Sequence, residues 1–345
     1  MPIFEEIYTL LAKKTPFVCY IKPNENRWNL LQQNNDEVIP FSGQSGFVFA
    51  PFNAGLKVVI SIDEAVLTQG FLEEIKVNQS TKTDFLVTHQ KEAFEQLVSN
   101  GIQEITNGNF EKVVLSRKIE IPKEITIVET FQNLIASYPT AFRYLFYHPK
   151  VGIWLGATPE QLVKIANNRF ETMALAGTQL YSEKVVWETK EIEEQQFVTN
   201  YILAKVKDKA NLVNVSEVQT VKAGNLAHLQ SLISGGLTND FQALELIESL
   251  HPTPAVCGLS KEKAIDFIAK NEGYDRKYYT GFLGEYEMNN QTDLFVNLRC
   301  LEVEENTTNI YVGCGITKDS IPEKEFIETE NKSMTMINIL VSKTF

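Results

Sequence analysis

AFRYLFYHPKVGIWLGATPEQLVKIANNRFETMALAG, residues 141–177, reads as a run of apolar strands broken by turns too short to hold a helix. The breaks are HPK, ATPE and the Asn167-Asn168 pair, all strong turn formers, and Asn-Asn suits the left-handed backbone of a tight hairpin. Strands joined by such short links run antiparallel, so the segment predicts an antiparallel sheet. Working outward, KVVLSRKIEI from Lys112 is another strand, and further strands are expected at about 280–287, 293–303 and 309–314.

Helices are expected between these runs. From Lys91 to Gly108, Phe94, Leu97, Val98, Ile102 and Ile105 follow a helical period, and Gly108 is a natural stop. The stretch SEKVVWETKEIEEQQFVTNYILAKVKDKA, residues 182–210, carries Val198, Ile202 and Val206 along one stripe. Shorter helices are expected at 226–234, 240–250 and 260–271. Strands arriving in runs, rather than alternating strictly with helices, predict an α+β fold and not a Rossmann or TIM arrangement. No GxGxxG or GxxxxGK[ST] stands against that, and no repeat or low-complexity linker divides the chain, which favours one large domain.

The 345 residues are 43% hydrophobic, enough for a sizeable core. With 32 basic and 44 acidic residues the net charge is −12, which repels a nucleic-acid backbone, and no basic run offsets it. An anionic ligand therefore needs local cations or a bound metal. No stretch reaches the ~18 apolar residues of a membrane span, and MPIFEEIYTLLAKKTPF lacks the pattern of a signal peptide, so a cytoplasmic protein is expected. Cys19, Cys257, Cys300 and Cys314 form no CxxC pair and are expected as buried free thiols. The four histidines have no zinc-site spacing.

Several residues are placed to do chemistry. Arg299 interrupts an apolar strand, and Gly313 and Gly315 end the next one, where missing side chains let backbone N–H groups approach a ligand. Glu325, Glu328 and Lys332 stack on one side of a helix, suited to Mg²⁺ or equally to exposed ion pairs. Alternation puts Val113, Leu115 and Arg117 on one face of their strand and Lys112, Val114 and Ser116 on the other. Lys112 suits a desolvated general base, or an edge lysine reaching water. Glu160 sits in a Gly/Thr/Pro turn between strands, where apolar walls favour a protonated carboxyl, or an ordinary turn glutamate. Gly177 and Thr178 offer an N–H and a hydroxyl to an anion, or a plain turn. Lys190, Glu191 and Glu194 lie within one helical turn, where an inward Glu194 would join Glu328 around a divalent ion. His251 opens the proline-stiffened HPTPAVCG.

Together these segments resemble the chorismate-utilising enzymes. FEKVVLSRK, GATPEQLV, ALAGT, KEIEEQQFV, NLAHLQSLISGGL, HPTPAVCG, GYDRKYYTGFLGEY, VNLRC, YVGCGIT and EKEFIETENK fall in family order over residues 95–340. The resemblance implies an anthranilate synthase component I-like fold: large antiparallel sheets packed as a sandwich with helices outside. Residues 1–90 would be a variable N-terminal part of that fold and 91–345 the chorismate-binding catalytic region. It implies Mg²⁺ held by Glu194 and Glu328, and an enolpyruvyl carboxylate held by Arg299, Tyr311 and the Gly315 backbone, with Gly177, Thr178 and Lys332 nearby. Lys112 would activate the nucleophile, Glu160 would protonate the departing hydroxyl, and His251 and Ala255 would line the pocket.

Within the family, Lys at the head of the KVVLSR block goes with water rather than ammonia, and Ala255 goes with stopping at isochorismate. The resemblance therefore points to an isochorismate synthase serving menaquinone or siderophore synthesis. Its alternatives are a salicylate synthase, an aminodeoxychorismate or anthranilate synthase component I, and a non-catalytic chorismate-binding or amino-acid-sensing module. Chorismate is the expected partner, without nucleic acid or membrane, and the chain is expected as a monomer with a dimer left open. Gln195 stands where the family often has His, Ile192 where a basic residue is common, and Cys314 where a small Ala is usual.

Overall fold

A computed structural model of the chain describes residues 3–73, 75, 90–122, 124–223, 226–237 and 242–343. The 141–177 segment forms the strands Phe142–His148, Gly152–Thr158, Gln161–Ala166 and Arg169–Leu180. Asn167 and Asn168 take φ of 51° and 56°, the double left-handed pair that a two-residue hairpin requires.

These strands divide between two sheets. The first has nine strands in the order Gly258–Leu259, Lys112–Ile121, Thr308–Ile316, Cys300–Val303, Gly152–Thr158, Phe142–His148, Phe17–Ile21, Arg27–Gln33 and Ala65–Phe71. The second, also of nine, runs Ala210–Val215, Leu226–Leu237, Arg169–Leu180, Gln161–Ala166, Gln291–Val296, Phe282–Met288, Gly46–Ala50 and Val58–Ser61, with Gln219–Ala223 also paired to Leu226–Leu237. All of these pairings are antiparallel.

Alternation sorts the side chains into layers. In Phe17–Ile21, Phe17, Cys19 and Ile21 pack under the helices Ile3–Ala12, Ile127–Ser137 and Pro322–Ile337, while Val18 and Tyr20 face the other sheet. Between the sheets lies an aromatic core in which Tyr20, Phe47, Phe142 and Phe295 stack, the last two with ring centroids 4.3 Å apart. The helices Thr189–Val206 and Gln242–Leu250 cover the outer face of the second sheet through Val198, Ile202, Val206, Leu246 and Leu250. The result is a helix–sheet–sheet–helix sandwich, as the resemblance implied.

Three expectations need correction. Residues 226–234 are strand, not helix: Ala227, Leu229, Ser231 and Ile233 are buried in alternation, and pairing with Arg169–Leu180 overrides the helix-forming composition. The helix expected over 182–210 begins only at Thr189, where Glu188 and Glu191 form a reciprocal capping box. The strand expected over 293–303 is two strands, parted at Asn297–Arg299, and Arg299 takes a φ of 47°.

That break is structural. The chain passes from the first sheet to the second between Thr158 and Gln161, and back again between Val296 and Cys300. The two crossings are stitched together: Thr158 Oγ1 donates to the Val296 carbonyl at 2.6 Å, Val296 N–H to the Glu160 carbonyl at 2.9 Å, and Ala157 N–H to the Arg299 carbonyl at 3.0 Å. Glu160 and Arg299 are thereby fixed side by side where the sheets meet.

The outer edge of Lys112–Ile121 is closed by a buried ion pair. Past the short Gly258–Leu259 pairing, Val114 N–H donates to the Cys257 carbonyl at 3.0 Å, the Val114 carbonyl accepts from Arg276 at 2.7 Å, and Ser116 N–H donates to Glu272 at 2.7 Å. Arg276 and Glu272 bind each other with side chains 1% and 0% exposed. All four cysteines are free and buried, and no helix among the described residues is long and apolar enough to cross a membrane. Replacing Arg276 by Met leaves Glu272 as an uncompensated buried charge. It should lower folding stability by about 3–5 kcal/mol, read as a drop in denaturant midpoint at unchanged slope.

Candidate active site

A cavity of about 940 Å³, its mouth included, opens between the two sheets. On one side are Val114 of the Lys112 strand and Gly313 and Gly315 of Thr308–Ile316; on the other are Leu175, Gly177 and His228 of the second sheet. The helices Thr189–Val206 and Pro322–Ile337 bring Glu194 and Glu328 to its wall, and the stitched crossings bring Glu160 and Arg299.

Gly315 pairs with Val114 in register. Because Val114 directs its own N–H and carbonyl to Cys257 and Arg276, this is a non-hydrogen-bonded pair, and the Gly315 N–H points away from the Lys112 strand. The glycine also makes room. A Cβ on Gly315 would stand 2.7 Å from Glu194 Oε1 and 3.1 Å from Lys112 Cε.

What fills that room is an ion pair: Lys112 Nζ, on a side chain with no exposed surface, donates to Glu194 Oε1 at 2.6 Å. Burial pushes the Glu194 carboxyl up, but the charge and hydrogen bond of Lys112, with Lys190 and Lys332, outweigh it and hold the group below its usual range. Two further lysine–glutamate pairs lie beside it. Lys190 reaches across to Glu325 of the C-terminal helix at 2.9 Å rather than to Glu194 one turn on, and Lys332 holds Glu328 at 2.6 Å and the Gly313 carbonyl at 3.0 Å.

Two charged groups on the wall lack such a partner. The Arg299 guanidinium makes no ion pair or hydrogen bond among the described residues, and burial lowers its pKa from the usual value. Glu160 is buried, and burial raises its carboxyl to about 7 against the opposing pull of Lys112, Arg299 and Lys332. A dry carboxyl that keeps its proton near neutrality is an acid, and a cavity-facing guanidinium is a carboxylate anchor.

Of the residues singled out in the sequence, Glu160, Gly177, Glu194, Ala255, Arg299, Tyr311, Gly315, Glu328 and Lys332 all line this one cavity. Lys112 lies just behind the wall, bonded to Glu194. The side chain of Thr178 falls outside the described residues. Tyr311 lines the cavity, but its hydroxyl donates to Glu302 at 2.8 Å. His251 lies elsewhere: its ring is buried edge-on against Phe282, with Nε2 3.2 Å from the Pro51 carbonyl.

The histidine on the wall is His228, which the helix reading of 226–234 had hidden. Burial, then Arg299 and Lys332, push it down to about 3, so it is neutral, with Nδ1 3.0 Å from the Gly177 carbonyl. Tyr279 also lines the cavity, and a Cβ on Gly313 would stand 3.1 Å from its hydroxyl. Strand alternation through NLAHLQS was the signal that could have pointed to His228. Gln195 ties the acidic helix to the second sheet through Ser231 at 2.9 Å, and holds Thr199 of its own helix at 2.9 Å.

Among the described residues no three or more His, Cys, Asp or Glu converge on a point that would hold a metal by themselves. The donor set fits Mg²⁺ in a narrower sense. Glu194 and Glu328 carry hard oxygen donors and line the same cavity, and Mg²⁺ commonly takes one or two carboxylates, completing its shell with water and substrate.

A family model described as "Chorismate binding enzyme" matches residues 59–341. The chain is 28% identical over 263 residues to isochorismate synthase EntC from Escherichia coli, covering 72% of this chain and 67% of that one. It is 28% identical over 365 aligned positions to isochorismate synthase DhbC from Bacillus subtilis, covering 96% and 91%. Anthranilate synthase component 1 from Archaeoglobus fulgidus also aligns, 28% identical over 272 residues, covering 76% and 64%. The solved structure of DhbC from Bacillus anthracis superposes with a TM-score of 0.78 at 22% identity, over 96% of this chain and 98% of that one, a likeness of fold.

The Gly315→Ala variant tests the packing of the site. Its Cβ lands against the flexible ends of Lys112 and Glu194, so the fold should survive with a near-normal thermal midpoint while divalent-ion affinity, measured by calorimetry, falls about 10–100-fold.

Proposed function

The chain belongs to the chorismate-binding enzyme family, and within it we propose that it is an isochorismate synthase, adding water to one ring carbon of chorismate as the ring hydroxyl leaves another. The observation that carries the reading is the pairing of Lys112 and Glu160 around one cavity. An amine lies behind one wall, and a carboxyl raised to about 7 sits on the wall itself, close enough for the charges of Lys112, Arg299 and Lys332 to act on it.

Chorismate is a dianion and hydroxide is a poor leaving group, so the site must neutralise charge and deliver a proton. Arg299, with the outward Gly315 N–H, receives the enolpyruvyl carboxylate. Glu194 and Glu328 would hold Mg²⁺ beside the ring carboxylate. The ion would supply positive charge against the substrate's carboxylates, while Lys112 and Lys332 hold those two glutamates in its absence. Lys112 first loses to solvent the proton it donates to Glu194; the free amine then takes a proton from water as the new C–O bond forms and the ring double bond shifts. Glu160 gives its proton to the departing oxygen, which leaves as water. Atoms balance, with one water consumed and one released.

A lysine rather than an ammonia-handling residue at position 112 favours water as the nucleophile over the amination carried out by anthranilate synthases. Ala255 on the wall leaves the enolpyruvyl side without an added hydroxyl, which favours stopping at isochorismate over pyruvate loss. The same proposal takes the protein to be cytoplasmic and to act as a monomer, with a dimer left open.

Incubation of the purified protein with chorismate and Mg²⁺, with and without ammonium, followed by product separation, should give isochorismate alone. Salicylate with pyruvate, or an ammonium-dependent amine, would assign a different member of the family, and bound chorismate without turnover would assign a binding module. Lys112→Ala and Glu160→Gln should each cut kcat by at least about 100-fold with the fold retained. Because the acid must be protonated, kcat/KM should fall as pH rises through about 7, approaching tenfold per pH unit above it. A flat profile from pH 6 to 9 would remove Glu160 from that role.

A further inference from the structure

A second cavity, of about 1200 Å³ with its mouth, meets the first at the acidic helix. The two share the side chains of Lys190 and Glu194 and no others. Glu194 is the residue that holds Lys112 Nζ at 2.6 Å, and Glu111, the residue before Lys112, lines the second cavity. The amine of Lys112 therefore sits at the partition between two spaces. One is the proposed substrate space; the other ends at the carboxylate that holds this amine.

The remaining walls come from the turn Gly108–Asn109–Phe110, the start of the helix Lys261–Asn271, and the Thr317–Asp319 loop. Asn109, Glu111, Glu193, Lys263, Lys318 and Asp319 are all exposed, so this space is open to solvent. Its charges are mixed, with Glu111, Glu193, Glu194 and Asp319 against Lys190, Lys263 and Lys318. Such a lining is wet and offers a dianion no net attraction. It is suited to water.

The reaction makes a demand that the first cavity alone meets poorly. A water must arrive on the Lys112 side of the ring while another leaves on the Glu160 side. A ring bound between Lys112 and Glu160 would separate the arriving water from the departing one. We propose that the second cavity is the port through which the nucleophilic water reaches Lys112, with the Glu194 and Lys190 side chains forming its inner gate. The proposal rests on the isochorismate synthase reading, and it assigns a small neutral nucleophile, not chorismate, to this opening.

A reversible plug tests it. Lys263 lies on the port's outer wall, exposed and away from the substrate cavity, and the native thiols are buried. Lys263→Cys is modified with methanethiosulfonates of increasing bulk, and turnover and chorismate KM are measured before modification, after it, and after release by dithiothreitol. The unmodified variant should make isochorismate at the normal rate; if it makes none while the native protein does, the position serves another role and the port is rejected. If the native protein makes none, the isochorismate reading itself fails. The port predicts that kcat falls at least tenfold with the bulkiest reagent, in order of size, with KM unchanged and full recovery on reduction. Unchanged kcat at every size overturns it, and so does a rise in KM at constant kcat, which would make this opening the substrate's door.

Discussion

The ion pair between Lys112 and Glu194 constrains everything around it. Lys112, on a strand of the first sheet, has no exposed surface, Glu194, on a helix covering the second, is largely enclosed, and a buried charge without a partner costs several kcal/mol. The pair therefore fixes how the two halves of the sandwich meet at the cavity. It also favours Gly315, because a Cβ there would crowd the ends of both side chains. Lys190 with Glu325, and Lys332 with Glu328, repeat the arrangement, so three acids on two helices are each balanced by a lysine.

Once those pairs are made, the chemistry of the remaining groups follows by exclusion. Glu160 has no lysine at hydrogen-bond distance, so desolvation dominates and the carboxyl is raised toward neutrality. Arg299, without a carboxylate of its own, is the cation left for a substrate. Both stand at the two crossings where strands change sheets, and the hydrogen bonds that stitch those crossings set the distance between acid and anchor. The left-handed backbone at Arg299 is local strain held in place by that stitching.

Much of this was legible from residues alone. The strands of 141–177 and their Asn-Asn hairpin gave the antiparallel sheet, since turn chemistry and alternation are local properties. The facing of Lys112 and Val114 away from Leu115 and Arg117 followed from the two-residue period and holds in the fold, where Arg117 lies over Phe326. Four features were not legible. The first part of Leu226–Leu237 is rich in helix formers and becomes a strand because Arg169–Leu180, Ala210–Val215 and Gln219–Ala223 pair with it, so His228 was missed as a wall residue. His251 and His228 cannot be ranked without knowing which carbonyls lie near. The partnership of Lys190 with Glu325 spans two helices far apart in sequence, whereas spacing suggested only Glu194. The edge-closing role of Arg276 and Glu272 depends on a neighbouring strand being short, which no local pattern encodes.

The central claim is that water enters the ring from the Lys112 side while the original hydroxyl departs protonated by Glu160. Turnover of chorismate with Mg²⁺ in ¹⁸O-water, with mass analysis of isochorismate formed in the first few per cent of reaction, tests it most directly. The account predicts one heavy oxygen in each product molecule, carried on the newly hydroxylated carbon. Isochorismate that forms without heavy oxygen would mean that the hydroxyl migrates within the substrate, and would contradict it.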